Sequence, residues 1–385
     1  MAKIYDLLAQ FQQVSPEFLN HFCMINGAVY PLDEVEKMGY AEFGLRARIN
    51  MPKKLYKYFP NMRKEVRGDS GEVTSVNYSL DALKSNCVYL NCPDQFDDVY
   101  DSDINIPWEE YSLFRLKKYA AWGGCNTNAI HKIEEIGYVL AQKMYSALSS
   151  GQDIESIFSL EEHPEEERMS ILIFCQEVKS ELVAKQDWQA AIAQTLHNEY
   201  SKLLKRIQRL FRVSCFAITP FSQLMWGGPY ADCHRGFCIE YSVDPVNPQY
   251  KDVYNHLFPV VYCKTRKKVT ENLMCVQDAE LTEAGLWDIY FHGALRKSID
   301  WAYQSEWRFL LPAGHKTTGF TREFFPITKV YLGNRMPHDQ RREVIEICQE
   351  KNIPYIGVTR ADDRFEMQEC KILCENCPHF NQSVE

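Results

Sequence analysis

Apolar positions along the 385 residues change their period several times, and the changes divide the chain. The first fifty residues carry helical spacing over 4–13, from a Ser15-Pro16-Glu17 start signal, and from 32 to 49. They predict an N-terminal helical arm over 1–50. From residue 51 the pattern shortens: 54–59 and 87–91 read as strands around a short helix at 77–85. Between 108 and 210 helical periodicity returns, with helices expected at 109–121, 130–149, 165–177 and 179–210 and no strand signal.

Strand patterns resume at 213–218, a continuously apolar run, and at 236–243 and 257–262. Residues 301–311 alternate, with Ser305, Trp307, Phe309 and Leu311 on one face and Gln304, Glu306 and Arg308 on the other. A strand–helix–strand unit follows over 327–332, 337–349 and 355–358. The expected fold class is α+β, a mixed or antiparallel sheet core with an N-terminal helical arm and a large helical insertion. The core divides into 51–107 and 211–360, the insertion is 108–210, and 361–385 is a Cys-rich C-terminal tail.

Composition narrows the partners. A net charge of −9 does not favour nucleic acid as a partner, and no run of about 18 apolar residues suggests a membrane span. Residues 1–13 lack the apolar core and cleavage site of a signal peptide, so a cytoplasmic protein is expected, and the fourteen cysteines read mainly as reduced thiols.

Three groups of residues have chemistry to offer. The face carrying Gln304, Glu306 and Arg308 either meets solvent as an ordinary ion pair or lines a cleft, where a lone carboxylate stabilises an oxocarbenium-like cation. The loop between 218 and 236 holds Trp226 and Tyr230 as flat surfaces, Gly227-Gly228 for close approach, and His234 and Arg235 for a phosphate. The same loop also reads as a tight turn with Trp226 plugging the core. Cys370, Cys374, Cys377 and His379 are close enough in sequence to share a zinc ion, although their spacing is not a standard knuckle. Asp97, Asp98 and Asp101 suggest either turn chemistry or Mg²⁺. No Walker-type, dinucleotide-fingerprint or Gly-x-Ser-x-Gly motif occurs.

Five segments in order carry a resemblance: Leu55-Tyr56-Lys57-Tyr58; Phe96-Asp97-Asp98-Val99-Tyr100-Asp101; Cys215-Phe216 with Met225-Trp226 and Tyr230-Ala231-Asp232-x-His234-x-Gly236-x-Cys238; Tyr303-Gln304-Ser305-Glu306-Trp307-Arg308; and Val330-Tyr331-Leu332-Gly333. Over about 52–360, the insertion omitted, the chain resembles a bacterial family of unknown function linked with abortive-infection and phage-defence neighbourhoods. It is more distantly similar to the ADP-ribosyltransferase superfamily. That resemblance implies an enzyme, possible defence or toxin effector, that cleaves the nicotinamide–ribose bond of NAD, a small-molecule nucleotide, for an unknown acceptor macromolecule. Glu306 and Gln304 would stand in the Gln/Glu-x-Glu position. Lys57 would replace the first-strand His or Arg, and a residue around 89–91 would supply the second strand. Lys57, Tyr58, Trp226, Tyr230, His234 and Arg308 are the expected substrate contacts. Two other readings remain open: a non-catalytic nucleotide-binding or sensor module, and a metal-dependent nuclease or phosphoesterase built on Asp97, Asp98 and Asp101.

Overall fold

The computed structural model describes residues 18–67, 71–96, 98, 100–268, 287, 289–314 and 318–371. The chain divides into two compact units, one of Met1–Asp101, Leu210–Thr265 and Leu295–Glu385, the other of Ser102–Arg209 and Arg266–Ala294. The fold is mixed α and β, with mixed and antiparallel sheets.

Among the described residues the strands belong to the first unit. In chain order they are β1 Phe22–Ile25, β2 Ala28–Pro31, β3 Lys54–Phe59, β4 Lys64–Arg67, β5 Val73–Val76, β6 Cys87–Leu90, β7 Phe211–Phe216 and β8 Phe237–Ser242. There follow β9 Leu257–Pro259, β10 Val261–Cys263, β11 Arg296–Ser298, β12 Trp307–Pro312, β13 Phe320–Glu323, β14 Ile327–Leu332, β15 Tyr355–Arg360 and β16 Met367–Glu369. A five-stranded sheet has the order β16-β15-β14-β8-β3, and a three-stranded sheet the order β7-β12-β9. Reciprocal backbone hydrogen bonds between Tyr56 and Ala217, at 2.8 and 2.7 Å, tie β3 to the end of β7. Strands β14 and β15 are parallel because the helix His338–Glu350 carries the chain back between them.

Both faces of the five-stranded sheet are covered, which is why β8 reads FCIEYS with little polar alternation. Leu55, Phe59, Phe237, Ile239, Tyr241, Val330 and Leu332 enter the main core, which also takes Trp307 and Phe309 of β12. Tyr56, Tyr58, Cys238 and Tyr331 pack on the opposite face with Trp226. The glycines of two motifs answer to this packing. A Cβ on Gly236 would lie 1.9 Å from the Phe59 carbonyl oxygen, and one on Gly333 2.1 Å from that of His234.

A third sheet has the order β11-β10-β1-β2. Its hairpin, β1–β2, replaces the second helix expected in the N-terminal arm. Asn26 and Gly27 both take positive φ, 51° and 77°, so an Asn-Gly turn joins two four-residue strands and overrides the helical spacing. The helix expected over 32–49 is broken into Leu32–Glu36 and Tyr40–Ile49. Residues 4–13 and the Ser15-Pro16-Glu17 signal lie outside the described residues.

The second unit is helical, with Trp108–Trp122, Ile133–Ser149, Glu165–Lys185 and Trp188–Gln208 around Tyr119, Leu140, Met144, Phe174 and Ile192. The break expected near 178 falls instead at Gln186, which takes φ 55°, and Asp187, whose side chain accepts the Ala190 N–H at 2.7 Å.

Candidate functional site

The alternating stretch 301–311 is only half a strand. Ser298 accepts the Asp300 N–H and opens a 3₁₀ helix, Ile299–Gln304, which ends at Ser305 with φ 44° before β12 begins at Trp307. β12 then pairs with β7 and β9 along its two edges, and Trp307–Leu311 are buried on both of its faces. The solvent-facing alternative for Glu306 and Arg308 is thereby corrected: Arg308 is 0% exposed and Glu306 5%.

What surrounds them is a cluster of buried charges. Arg308 offers its guanidinium end to Asp101, Nη1 to Oδ1 at 2.7 Å and Nη2 to Oδ2 at 2.8 Å, and its Nε to Glu306 Oε1 at 2.8 Å. Lys297, on β11, reaches Asp101 Oδ2 at 2.9 Å, Glu306 Oε2 at 3.2 Å and Gln304 Oε1 at 3.0 Å. Gln304 in turn donates from Nε2 to the Tyr230 hydroxyl at 2.7 Å. The Glu306 N–H donates to the Tyr262 hydroxyl at 2.9 Å, and the Val260 N–H to the Glu306 carbonyl oxygen at 2.9 Å. Tyr262 and Lys297 are register partners on parallel β10 and β11, so one ladder delivers both to Glu306.

Lys57 comes from β3. Its ammonium donates to Ser214 Oγ at 3.0 Å and to the Cys215 carbonyl oxygen at 3.1 Å, and stands 5.1 Å from the Phe216 ring centroid. Cys215 is the register partner of Arg308, so Lys57 abuts the strand beside the cluster.

The pKa directions follow from these neighbours. Burial pushes the Asp101 and Glu306 carboxyls up, but Arg308 and Lys297 outweigh it and hold both below the usual carboxylate range. Burial pulls the Lys297 ammonium down, while Glu306 and Asp101 more than restore it, so its pKa is raised. Lys57 also feels burial most, and its neighbours Cys215 and Glu306 do not offset it, so its pKa is lowered. Burial pushes the Tyr230 hydroxyl up to about 12, so at neutral pH it is a phenol that accepts from Gln304.

Other expected contacts lie elsewhere. Trp226 is fully buried, donates from Nε1 to the Pro220 carbonyl oxygen at 2.6 Å, and packs on the Tyr58 ring at 5.3 Å. It is a core plug rather than a stacking surface. Tyr58 is likewise buried, its hydroxyl donating to the Thr219 carbonyl oxygen at 2.9 Å. Gly228 serves a close approach of the chain to itself, since a Cβ there would lie 3.0 Å from the Leu224 carbonyl oxygen. His234 stacks against Trp226 at 6.4 Å and is separate from the cluster in its hydrogen bonds. It ends a run, Asp232, Cys233 and His234, with φ of 46°, 51° and 71°. Each such residue costs about 1 kcal/mol or more, and the bidentate Asp232–Arg235 pair at 2.9 and 3.0 Å helps to hold the turn. Arg235 thus meets Asp232. Tyr89 is half-exposed on β6, and Asn91 bridges to Val213 of β7, so the second-strand position stays unassigned.

Both oxygens of Asp101 face cations, and Asp98 accepts the Tyr100 N–H at 2.9 Å, as turn chemistry does. Asp97 lies outside the described residues, as do Cys374, Cys377 and His379; Cys370 is half-buried. Among the described residues no group of three or more His, Cys, Asp and Glu could hold a metal ion, and no helix is long and apolar enough to cross a membrane. Sequence reasoning missed Lys297, Tyr262 and Ser214, and it named Asp101 for a metal rather than for Arg308.

Fold and cluster together define a mixed α/β protein with a buried ion network built on Asp101, Lys297, Glu306 and Arg308. Within it, residues 225–309 match the model of a family described as "Protein of unknown function (DUF2971)". No curated protein and no solved structure matches the chain. The matched stretch contains Tyr230, Lys297, Gln304, Glu306 and Arg308, and it leaves out Lys57 and Asp101.

Proposed function

We propose that this protein is an ADP-ribosyltransferase-like enzyme that cleaves the nicotinamide–ribose bond of NAD, in keeping with a defence or toxin effector. The observation that supports this reading best is convergence. Gln304 and Glu306 meet on Lys297, Gln304 brings in Tyr230, and Lys57 abuts the same strands, although Lys57 and Tyr230 are far in sequence from the 304–306 segment. Glu306 is held ionised in a place of low dielectric, where a fixed carboxylate is worth most to a developing cation. In the reaction the C1′–N bond breaks and its electron pair leaves with nicotinamide. The oxocarbenium ion faces Glu306 and takes a lone pair from water or an acceptor, whose proton passes to solvent. Asp101, Glu306, Arg308 and Lys297 sum to zero charge, so the proton on Lys57 makes the group attractive to a diphosphate. Tyr230 supplies the ring surface, and Gln304 orients the ribose or the acceptor.

Incubating the full-length protein with labelled NAD and cell lysate tests the proposal. Wild type should release nicotinamide, chelator should leave the rate unchanged, and Glu306→Gln should lower it by about a hundredfold or more while circular dichroism still shows a folded chain. No NAD consumption by wild type, or an unchanged rate in folded Glu306→Gln, would remove this reading. One feature favours a second, non-catalytic nucleotide-binding module: both Glu306 oxygens are already engaged by Arg308 and Lys297. NAD binding by calorimetry without turnover would select it.

A further inference from the structure

A cavity of about 560 Å³ opens in the first unit among the β1–β2 hairpin, the helices Leu32–Glu36 and Tyr40–Ile49, and Pro259 of β9. We propose that it is a binding site for a small, largely apolar molecule that carries one N–H or O–H donor and one anionic group. None of the cluster residues around Glu306 lines it. Its volume falls within the roughly 300–1,000 Å³ of small-molecule sites. The walls are mainly apolar, with Val35, Phe43 and Ala47 from the two helices and Met38 from the link between them.

The polar features of the cavity specify the rest of the ligand. Asn26 lines it, and its Oδ1 is shielded from solvent and accepts no hydrogen bond from the described protein atoms. The Asn26-Gly27 turn, with positive φ at both residues, sets where that side chain leaves the backbone. A buried acceptor left unmet is costly, so a ligand N–H or O–H gains there what an apolar contact does not. Arg46, also in the lining, holds Glu42 at 2.9 Å in an exposed helical pair. Such pairs are weak, and an incoming anion exchanges readily with the carboxylate.

The site also has a route to Glu306. Pro259 is the register partner of Trp307, and the next residue, Val260, donates its N–H to the Glu306 carbonyl oxygen. An occupant therefore touches the strand that backs Glu306, although the binding proposal stands without any effect on NAD.

The probe for the test is 8-anilinonaphthalene-1-sulfonate, which combines flat apolar rings, one N–H and one sulfonate. Fluorescence titration and calorimetry on the full chain should give a single saturable site per molecule. Ala28→Trp, at an exposed lining position, should close the mouth and weaken binding by at least about tenfold, and Asn26→Gly, which keeps the turn and deletes the acceptor, by about fivefold. Thermal melts identify variants that remain folded, and if Ala28→Trp does not fold, Asn26→Gly alone decides. Absence of saturable binding by wild type, or wild-type affinity in whichever folded variant decides, overturns the proposal.

Discussion

Lys297 on β11 and Lys57 on β3 both place a charge within reach of Glu306, yet the folded protein raises the proton affinity of one and lowers that of the other. Desolvation works against the charge on both. The difference lies in partners: Lys297 touches two carboxylates, whereas the recorded partners of Lys57 are a hydroxyl, a carbonyl oxygen and an aromatic face. Neutral acceptors solvate an ammonium less well than an anion does, so Lys57 bears a net cost. A charge that the fold secures and a charge that the fold tolerates at a cost are different kinds of residue.

The comparison breaks most visibly at Lys297. Lys297→Met leaves Asp101 and Glu306 to share Arg308, and removing one partner from a buried ion network should cost about 3–5 kcal/mol, read from urea denaturation at pH 7. A loss below about 1 kcal/mol would show that water reaches these charges and that the cluster is ordinary surface chemistry.

pH sharpens the same contrast at up to about 1.4 kcal/mol per pH unit for each proton. Asp101 and Glu306 have depressed pKa values, so their stabilisation is full above the unfolded value near 4 and is lost as pH falls through the lower folded values. Lys297, with a raised pKa, contributes fully below its unfolded value of about 10.4 and loses that contribution only as pH climbs through the higher folded one. In Lys297→Met the carboxyls lose one attracting charge, and acid unfolding should begin at higher pH than in wild type. Identical acid limbs in the two proteins would mean that Lys297 does not hold the carboxylates.

Parts of this arrangement were readable in advance, for physical reasons. β3, β8 and β14 are covered on both faces, so their apolar runs mark them as strands without any partner in view. Trp307, Phe309 and Arg308 also alternate as expected, because β12 is regular from 307 onward. Alternation places Gln304 on a strand, yet it sits on a 3₁₀ turn, since a serine cap at 298 and a left-handed Ser305 are local events that a two-residue period does not register. Lys297 escaped notice because its importance depends on the parallel register of β10 and β11, a non-local pairing of three-residue strands. In sequence Trp226 fits both a plug and a ligand platform, and only the packing of Tyr58 and the Pro220 carbonyl decides for the plug. The hairpin at Asn26-Gly27 carried its signal openly, and helical spacing on either side obscured it.

The smallest expected effect is also the most diagnostic. Lys57→Met removes a poorly solvated ammonium and keeps a side chain of similar length between Phe59 and Phe216. It should therefore stabilise the protein, by about 1 kcal/mol at pH 7. Because the folded pKa is lowered, the unfolded chain binds more protons between that value and about 10.4, and wild-type stability rises with pH across this window. The advantage of Lys57→Met is then greatest below the folded pKa and shrinks as pH approaches 10.4. If Lys57 serves a nucleotide phosphate, the same variant loses NAD binding while it gains stability, and calorimetry beside denaturation reads both. Opposite movement of the two quantities marks a residue kept for a ligand. A variant that is less stable than wild type at every pH would mean that Ser214, the Cys215 carbonyl and the aromatic rings solvate the ammonium fully, and the distinction between the two lysines would collapse.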